Sequence, residues 1–229
     1  MDDIRIGIAG AGRMGQAVSQ AVDAANGVCV SKIWSRGESL AELVADSNVL
    51  VDFSLPEATA DVLASVQNAR IPLVTGVSGL DAAQIAAMEQ ASTVIPIVFD
   101  RNMSQGVTVL ADLVQRAAKS LGAEFEVEIR EVHHVHKLDS PSGTALKLGE
   151  SIDAVRGAGG TPVRYEVERR GEVPGDHSVV FSSPTETLTF EHSVTTRQVF
   201  AEGALRAARW VVQQPPGLYQ MRHVLFGDP

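Results

Sequence analysis

The sequence predicts an α/β chain, with a parallel sheet covered on both faces in its first half and an open mixed or antiparallel sheet with helices on one side in its second. Three observations predict this. Short apolar runs alternate with helix-period segments as far as residue 99. From residue 124 the strand-like stretches instead alternate charged with apolar residues, as a half-wet strand does. A chain of 229 residues with 45% hydrophobic content suffices for one large or two modest soluble domains and excludes bulk disorder.

Taken in order, residues 4–9 (IRIGIA) form a buried parallel strand ending at glycine, and 13–25 carry apolar residues three and four apart, a helix. Residues 28–34 (VCVSKIW) are the second strand, followed by a turn at SRGES and a helix near 38–45. Residues 48–53 (NVLVDF) are the third, and SLPEAT opens a helix with Ser54 as cap and Pro56 in its first turn. Residues 71–75 and 94–99 are further strands around a helix at 81–91. Residues 104–121 are helical, 124–132 a strand and 144–156 a helix. Residues 163–170, 177–182 and 186–199 read as strands or hairpins. A helix at 203–213 and the segment LYQMRHVL close the chain. GAGG at 157–160 is a loop, and there is neither an internal repeat nor a long linker.

Lys+Arg number 19 against Asp+Glu 28, a net charge of -9, which sets general nucleic-acid binding low. One cysteine, Cys29, allows no internal disulfide and no cysteine metal cluster, and suits a reducing, cytoplasmic setting. The acidic N-terminus is not a signal peptide, and no run of 18 apolar residues spans a membrane.

Residues 10–15 read GAGRMG, the G-x-G-x-x-G pattern, placed where the first strand opens into the first helix. There Gly10 makes the tight turn, Gly12 clears space for a pyrophosphate and Gly15 lets the helix approach the strand, while the helix amides favour phosphate charge. This makes the first half a Rossmann-like dinucleotide-binding domain. Where an acid usually reads the adenosine ribose, the second strand ends in Trp34, Ser35, Arg36 and Gly37, with no carboxylate until Glu38. Ser35 and Arg36 suit a 2′-phosphate, or Arg36 is a solvated turn residue. Arg13 adds a second positive charge or faces water.

Residues 131–146, EVHHVHKLDSPSGTAL, hold His133, His134 and His136, three of the six histidines, with Lys137 directly after. Histidine titrates near neutrality and lysine can anchor a carboxylate or give a proton. Gly143 and Thr144 open a helix that can present amides and a hydroxyl to an anion. A zinc site and purely structural histidines are the rival readings; adjacent strand residues face opposite ways, and no HExxH pattern exists.

This segment closely resembles the signature of the dihydrodipicolinate reductase family. GRMG (Gly12, Arg13, Met14, Gly15), VDFSLPEAT at 51–59, VTGVSGL at 74–80, RNMSQGV at 101–107, RGEVPGDHSVVF at 170–181 and FAEGALRAARW at 200–210 also match, so the resemblance covers essentially the whole chain. It implies an NADPH- or NADH-dependent reductase of lysine biosynthesis by the diaminopimelate route, acting on a small dicarboxylate as a homotetramer. It further implies a dinucleotide-binding domain (1–103), an α+β substrate and oligomerisation domain (104–202), and a C-terminal segment (203–229) returning to the first. By resemblance His133 is the acid and Lys137 the proton donor or carboxylate anchor. His134, Ser142, Gly143 and Thr144 match substrate-binding positions, Gly76 and Ser78 the stretch near the nicotinamide ribose, and Asn102, Met103 and Ser104 the stretch beside the ring. The chain departs from the family at Val135, often Arg, at the GVSG turn, where many members have two threonines, and at Asp100 and Arg101, often small residues. Ala9 also stands where some relatives carry a first glycine.

Overall fold

The apolar run of β1 (Ile4–Ala9) lies inside a parallel sheet, flanked by neighbours on both edges. The computed structural model describes residues 3–156 and 160–227, so most of the loop expected at 157–160 lies outside the described residues. After β1 come α1 (Arg13–Asp23), β2 (Val28–Trp34), α2 (Leu40–Ala45), β3 (Val49–Asp52), α3 (Thr59–Ala69), β4 (Leu73–Thr75), α4 (Ala82–Ser92) and β5 (Pro96–Phe99). Then follow α5 (Gln105–Leu121), β6 (Glu126–His133), α6 (Gly143–Arg156), β7 (Arg164–Arg169), β8 (Asp176–Ser182), β9 (Thr187–His192), α7 (Gln198–Val211), β10 (Gly217–Tyr219) and α8 (Met221–Phe226). The chain divides into two units. One holds the residues up to Gln105 together with those from Gln198 onward, and the other is Gly106–Arg197.

The first unit is a six-stranded, all-parallel sheet in the order β10-β5-β4-β3-β1-β2. Successive residues of each strand feed opposite faces, so both faces are apolar. Ile6, Ile8, Val51, Val74 and Val98 pack with α1 and α7, while Leu50, Leu73 and Ile97 pack with Leu43, Leu63, Val66 and Met88 of α2, α3 and α4. The strand order reverses between β1 and β3, and the carboxyl ends of strands at such a switch point are where open α/β sheets bind ligands. Helix α7 approaches closely because its inner face is small. A Cβ at Gly203 would lie 1.7 Å from the carbonyl oxygen of Met103.

The second unit is a four-stranded mixed sheet, β7-β6-β8-β9, with β6 and β7 parallel and the other pairs antiparallel. Leu110, Val114 and Ala118 of α5 and Leu148 and Ile152 of α6 cover one face, over Val127, Ile129, Val179 and Phe181. The opposite face is polar, lined by Glu128, Arg130, Arg164, Ser178, Thr189 and Glu191 among others, and carries Arg130–Glu166 (3.1 Å) and Arg164–Glu126 (3.0 Å) ion pairs.

Two local expectations are corrected. Ser54 does not cap a helix. Its amide donates to Asp52 Oδ1 (2.9 Å), and a 3-10 turn at Pro56–Ala58 with Leu55 as cap precedes α3. The strand expected over 186–199 stops at His192, and α7 starts at Gln198 rather than 203, because Phe200 and Ala201 join the helical face packed on the sheet. The closing segment supplies β10, a sixth strand beside β5. Asp100, one of the departures from the family pattern, accepts a bond from the Met221 amide (3.4 Å) at the start of α8.

Candidate functional site

At the carboxyl end of β1 the chain turns at Gly10, whose φ of +105° favours glycine, and a Cβ there would lie 2.7 Å from the carbonyl oxygen of Phe53. Gly15 sits so close beneath that a Cβ would come 1.7 Å from the Gly10 carbonyl. Gly12 is the opposite case. Nothing lies within 4 Å of where its Cβ would be, so the space over the first turn of α1 is open. The opening amides of an α-helix have no intrahelical acceptor. Such an end fits a pyrophosphate: backbone donors, a favourable dipole and cleared space. Arg13 is exposed beside it, and Met14 packs partly into the core.

At the end of β2 Ser35 and Arg36 are exposed. Glu38 folds back so that its carboxylate accepts the Ser35 amide (2.6 Å), and Arg36 lies 3.9 Å from Glu57, with both side chains about three-quarters in water. Gly76 abuts the Phe53 ring, and Ser78 is exposed. Asn102 is half-buried and its Oδ1 accepts the Ser104 amide (2.9 Å). Met103 and Ser104 are fully buried, Met103 in the core under α7.

The histidine segment is built differently. Along β6, Val127, Ile129, Glu131 and His133 share the buried face. Opposite them His177 pairs with Glu131, in phase with Val179 and Phe181 of β8, while Arg169 of β7 pairs with His133. The apolar face of the sheet therefore ends in a polar row. Glu131 is 2% exposed and is the hub. It accepts the Ser142 amide (3.0 Å) at the start of α6 and the Arg169 guanidinium (3.3 Å). Its Oε2 lies 3.6 Å from His133 Nδ1 and 3.8 Å from His177 Nε2. The Ser142 hydroxyl accepts the Ala145 amide and lies 3.3 Å from His177 Nε2, and the His133 and His177 rings meet edge to face.

Arg169 also donates to the carbonyls of Asp139 (2.6 Å) and Lys137 (3.4 Å), which pins the loop after β6. Lys137 is paired with Asp139 at 2.8 Å. His134 is half-buried, whereas His136 is exposed and near Glu172 (3.5 Å). Gly143 opens on free space, and Thr144 follows in the first turn of α6. The row thus brings together His133, Lys137 and Ser142, with His134, Gly143 and Thr144 on adjoining backbone, while exposed His136 lies outside it with its ring 6.1 Å from that of His134.

Burial pushes the His133 pKa below its ordinary value; Glu131 opposes the shift, and Lys137 and Arg169 assist it. His177 is pushed down to about 4, first by burial and then by His133. Partial burial works against ionisation of Asp139, but the Lys137 hydrogen bond and charge outweigh it and hold its pKa low. Glu131, His133 and His177 have ligand-type atoms within 4.8 Å of one another. The Glu131 oxygens are already engaged by the Ser142 amide and the cationic Arg169, an arrangement suited to a carboxylate anchor rather than a metal ligand. Sequence reasoning missed Glu131, His177 and Arg169. A signal was present for two of them. In EFEVEIREV the acid–apolar alternation breaks at Arg130–Glu131, which puts an acid on the buried phase, and His177 stands in phase with Val179 and Phe181.

The family model described as "Dihydrodipicolinate reductase, N-terminus" matches residues 4–103, and "Dihydrodipicolinate reductase, C-terminus" matches 106–225. The chain belongs to the dihydrodipicolinate reductase family. It is 38% identical to the 4-hydroxy-tetrahydrodipicolinate reductase of Halorhodospira halophila, covering 96% of this chain and 98% of that one. A reductase of the same name from Xanthomonas campestris pv. campestris is 46% identical over 78% of this chain and 73% of its own. Among solved structures, dipicolinate-bound dihydrodipicolinate reductase from Paenisporosarcina sp. TG-14 shares the fold at 22% identity, with a TM-score of 0.81 over 98% of this chain and 99% of that one. DAP dehydrogenase of C. glutamicum shares it more distantly, at 12% identity and a TM-score of 0.62 over 100% and 97%.

Proposed function

We infer that this chain reduces 4-hydroxy-tetrahydrodipicolinate, through its dehydrated form, to tetrahydrodipicolinate in lysine biosynthesis by the diaminopimelate route, using NADPH or NADH. The observation that carries the reading is the match of both halves of one reductase family to nearly the whole described chain, with His133 and Ser142 of the histidine signature joined at Glu131 in one polar row. The glycine loop (Gly10, Gly12, Arg13, Met14, Gly15) would hold the dinucleotide phosphates and Ser35 and Arg36 its adenosine end. Gly76, Ser78 and the Asn102–Ser104 stretch would lie towards the nicotinamide. Met103 and Ser104 are buried, so that stretch would act through its backbone and Asn102. The nicotinamide would supply a hydride, which requires reacting atoms roughly 3–3.5 Å apart.

The substrate is a small dicarboxylate with a conjugated cyclic imine. Lys137, with the Gly143 and Thr144 amides at the start of α6, anchors a carboxylate, and His134 lies beside it. As hydride adds, the electron pair moves towards the ring nitrogen, where nearby cationic charge favours it. A proton from His133 then completes the reduction, with one hydride and one proton added per ring. In a protein of net charge -9, Lys137 is the cation of this row that can turn to a substrate carboxylate, by exchanging its exposed partner Asp139, while Arg169 stays on the buried Glu131 carboxylate.

Assembly as a homotetramer is supported by the uncovered polar face of the second sheet, whose edge strands β7 and β9 carry half-exposed Tyr165 and Leu188. A monomer in light scattering at micromolar concentration would refute it. Cys29 is free and half-buried, which suits the reducing cytoplasm, and no helix among the described residues is long and apolar enough to cross a membrane. The deciding assay supplies enzymatically generated 4-hydroxy-tetrahydrodipicolinate with NADPH and NADH in parallel. Substrate-dependent loss of reduced-nicotinamide absorbance is expected, and its absence with both cofactors would overturn the reading.

A further inference from the structure

We propose that Glu131 is the positioning residue of the acid: its buried carboxylate holds the His133 imidazole with Nδ1 protonated and turned inward, which leaves Nε2 as the atom that delivers the proton. The inference rests on the reading of His133 as acid. Glu131 and His133 are two residues apart on one strand, so their side chains leave the same face of β6. Nδ1 of His133 is buried with no hydrogen-bond partner, and Glu131 Oε2 lies 3.6 Å from it, just beyond bonding distance. A carboxylate oxygen only accepts, so a ring nitrogen that closes on it must donate. A buried ring nitrogen left without a partner is unfavourable, which drives the closure.

The carboxylate is itself immobilised. Ser142 N–H ties it to the start of α6 and Arg169 to the end of β7, so three elements fix its position. On the other side of the ring, Nε2 lies against the Gly175 backbone, where a Cβ would stand 2.9 Å away at a φ of +150° that favours glycine. A side chain there would close off the nitrogen that this assignment makes the donor.

The charged and titratable groups around His133 are Glu131 on its own strand, Arg169 on β7, His177 on β8, and Lys137 and Asp139 in the following loop. Asp176 and His192 act on His177. Burial, Lys137 and Arg169 all favour neutral His133, while Glu131 and Asp139 support its protonated form. His177, with its pKa pushed down to about 4, stays neutral and adds no opposing charge near neutrality. Glu131 is thus both the orienting acceptor and the first of the two groups that keep a proton on the acid.

Nitrogen-15 NMR of histidine-labelled protein tests the first part without disturbing the site, with the His133 signals assigned by their loss in His133→Gln. Neutral His133 is expected as the Nδ1–H tautomer, and the Nε2–H tautomer would overturn the proposal. The second part is read from Glu131→Gln. Turnover falls as pH rises through the pKa of the acid, and this limb should move about one pH unit lower, with turnover above it down about tenfold. Cofactor affinity by fluorescence titration should be unchanged, and Glu131→Asp, which keeps the charge, should keep the limb. A folded Glu131→Gln with an unmoved limb sinks the proposal. If His133→Gln loses turnover in that case, the acid reading survives. Wild-type turnover in His133→Gln overturns both. Should Glu131→Gln fail to fold, the wild-type tautomer decides.

Discussion

The loop after β1 and the loop after β6 both leave the carboxyl end of a strand, yet they are made of different material. The first works by omission. Gly10 turns where side chains are strained, Gly12 leaves space empty and Gly15 lets a helix touch a carbonyl. The second works by accumulation. Glu131, His133, His177 and Arg169 crowd side chains of both signs into one buried row. A backbone-built site needs only local geometry, so it survives many changes in its surroundings. A side-chain site depends on strand register, because a one-residue slip of β6 would turn Glu131 and His133 out to the polar face.

The largest effect expected falls on the side-chain site. Lys137→Ala should lower turnover about 10²- to 10⁴-fold while leaving NADPH affinity nearly intact, because the residues proposed for the phosphates belong to the other loop. His133→Ala should follow the same pattern more mildly. Steady-state kinetics beside a cofactor titration separates the two, and near-wild-type rates in both folded variants would show the site misplaced.

In the backbone-built loop the matching change should break folding rather than rate. Gly15→Ala drives a Cβ to within 1.7 Å of the Gly10 carbonyl, which neither segment can absorb without moving. A loss of about 3 kcal/mol or more in denaturant unfolding is expected, and Gly12→Ala, which meets open space, should cost far less. Equal stability of these two variants would erase the contrast between a packed and a cleared glycine.

Acid should reveal which unit is the more sensitive. His177 is held at about 4 against an ordinary value near 6.5, so below that value the unfolded chain takes up a proton the folded one refuses. Stability then falls between about pH 6.5 and 4, by up to about 3 kcal/mol. His133 and His192 are also lowered and act in the same direction. In the other unit buried Asp52 is raised, chiefly by desolvation. That sign is opposite, because its contribution is present at low pH and lost as pH rises through its folded value. Hydrogen exchange across this range should show the histidine-bearing unit opening first.

A smaller effect tests the adenosine end. Arg36→Ala should raise the Michaelis constant for NADPH about ten- to a hundredfold more than that for NADH, the scale of one charged hydrogen bond. Equal effects on both cofactors would remove Arg36 from the 2′-phosphate.

Much of this architecture is legible in the order of residues. Short apolar runs, period-two alternation and helix-period patterns place nearly every element, and GAGRMG marks the cleared loop, because backbone geometry is local and glycine is its direct record. EVHHVHKLDSPSGTAL likewise marks the chemistry-bearing segment. The sequence does not by itself say which of its members turn inward. The short run GLY, with no length and little periodicity, becomes β10 only because β5 offers an open edge. Ser54 reads as a helix cap, yet the turn at Pro56–Ala58 begins from Leu55, so the serine lies one residue too early to cap it. Glu131, His177 and Arg169 lie on three different strands, and only the pairing of Glu131 with His177 and of His133 with Arg169 brings them together. Local preference determines the elements and the glycine loop. The polar row is decided by tertiary structure, since a buried carboxylate is tolerable only once the helix start and the guanidinium that neutralise it have arrived from distant parts of the chain.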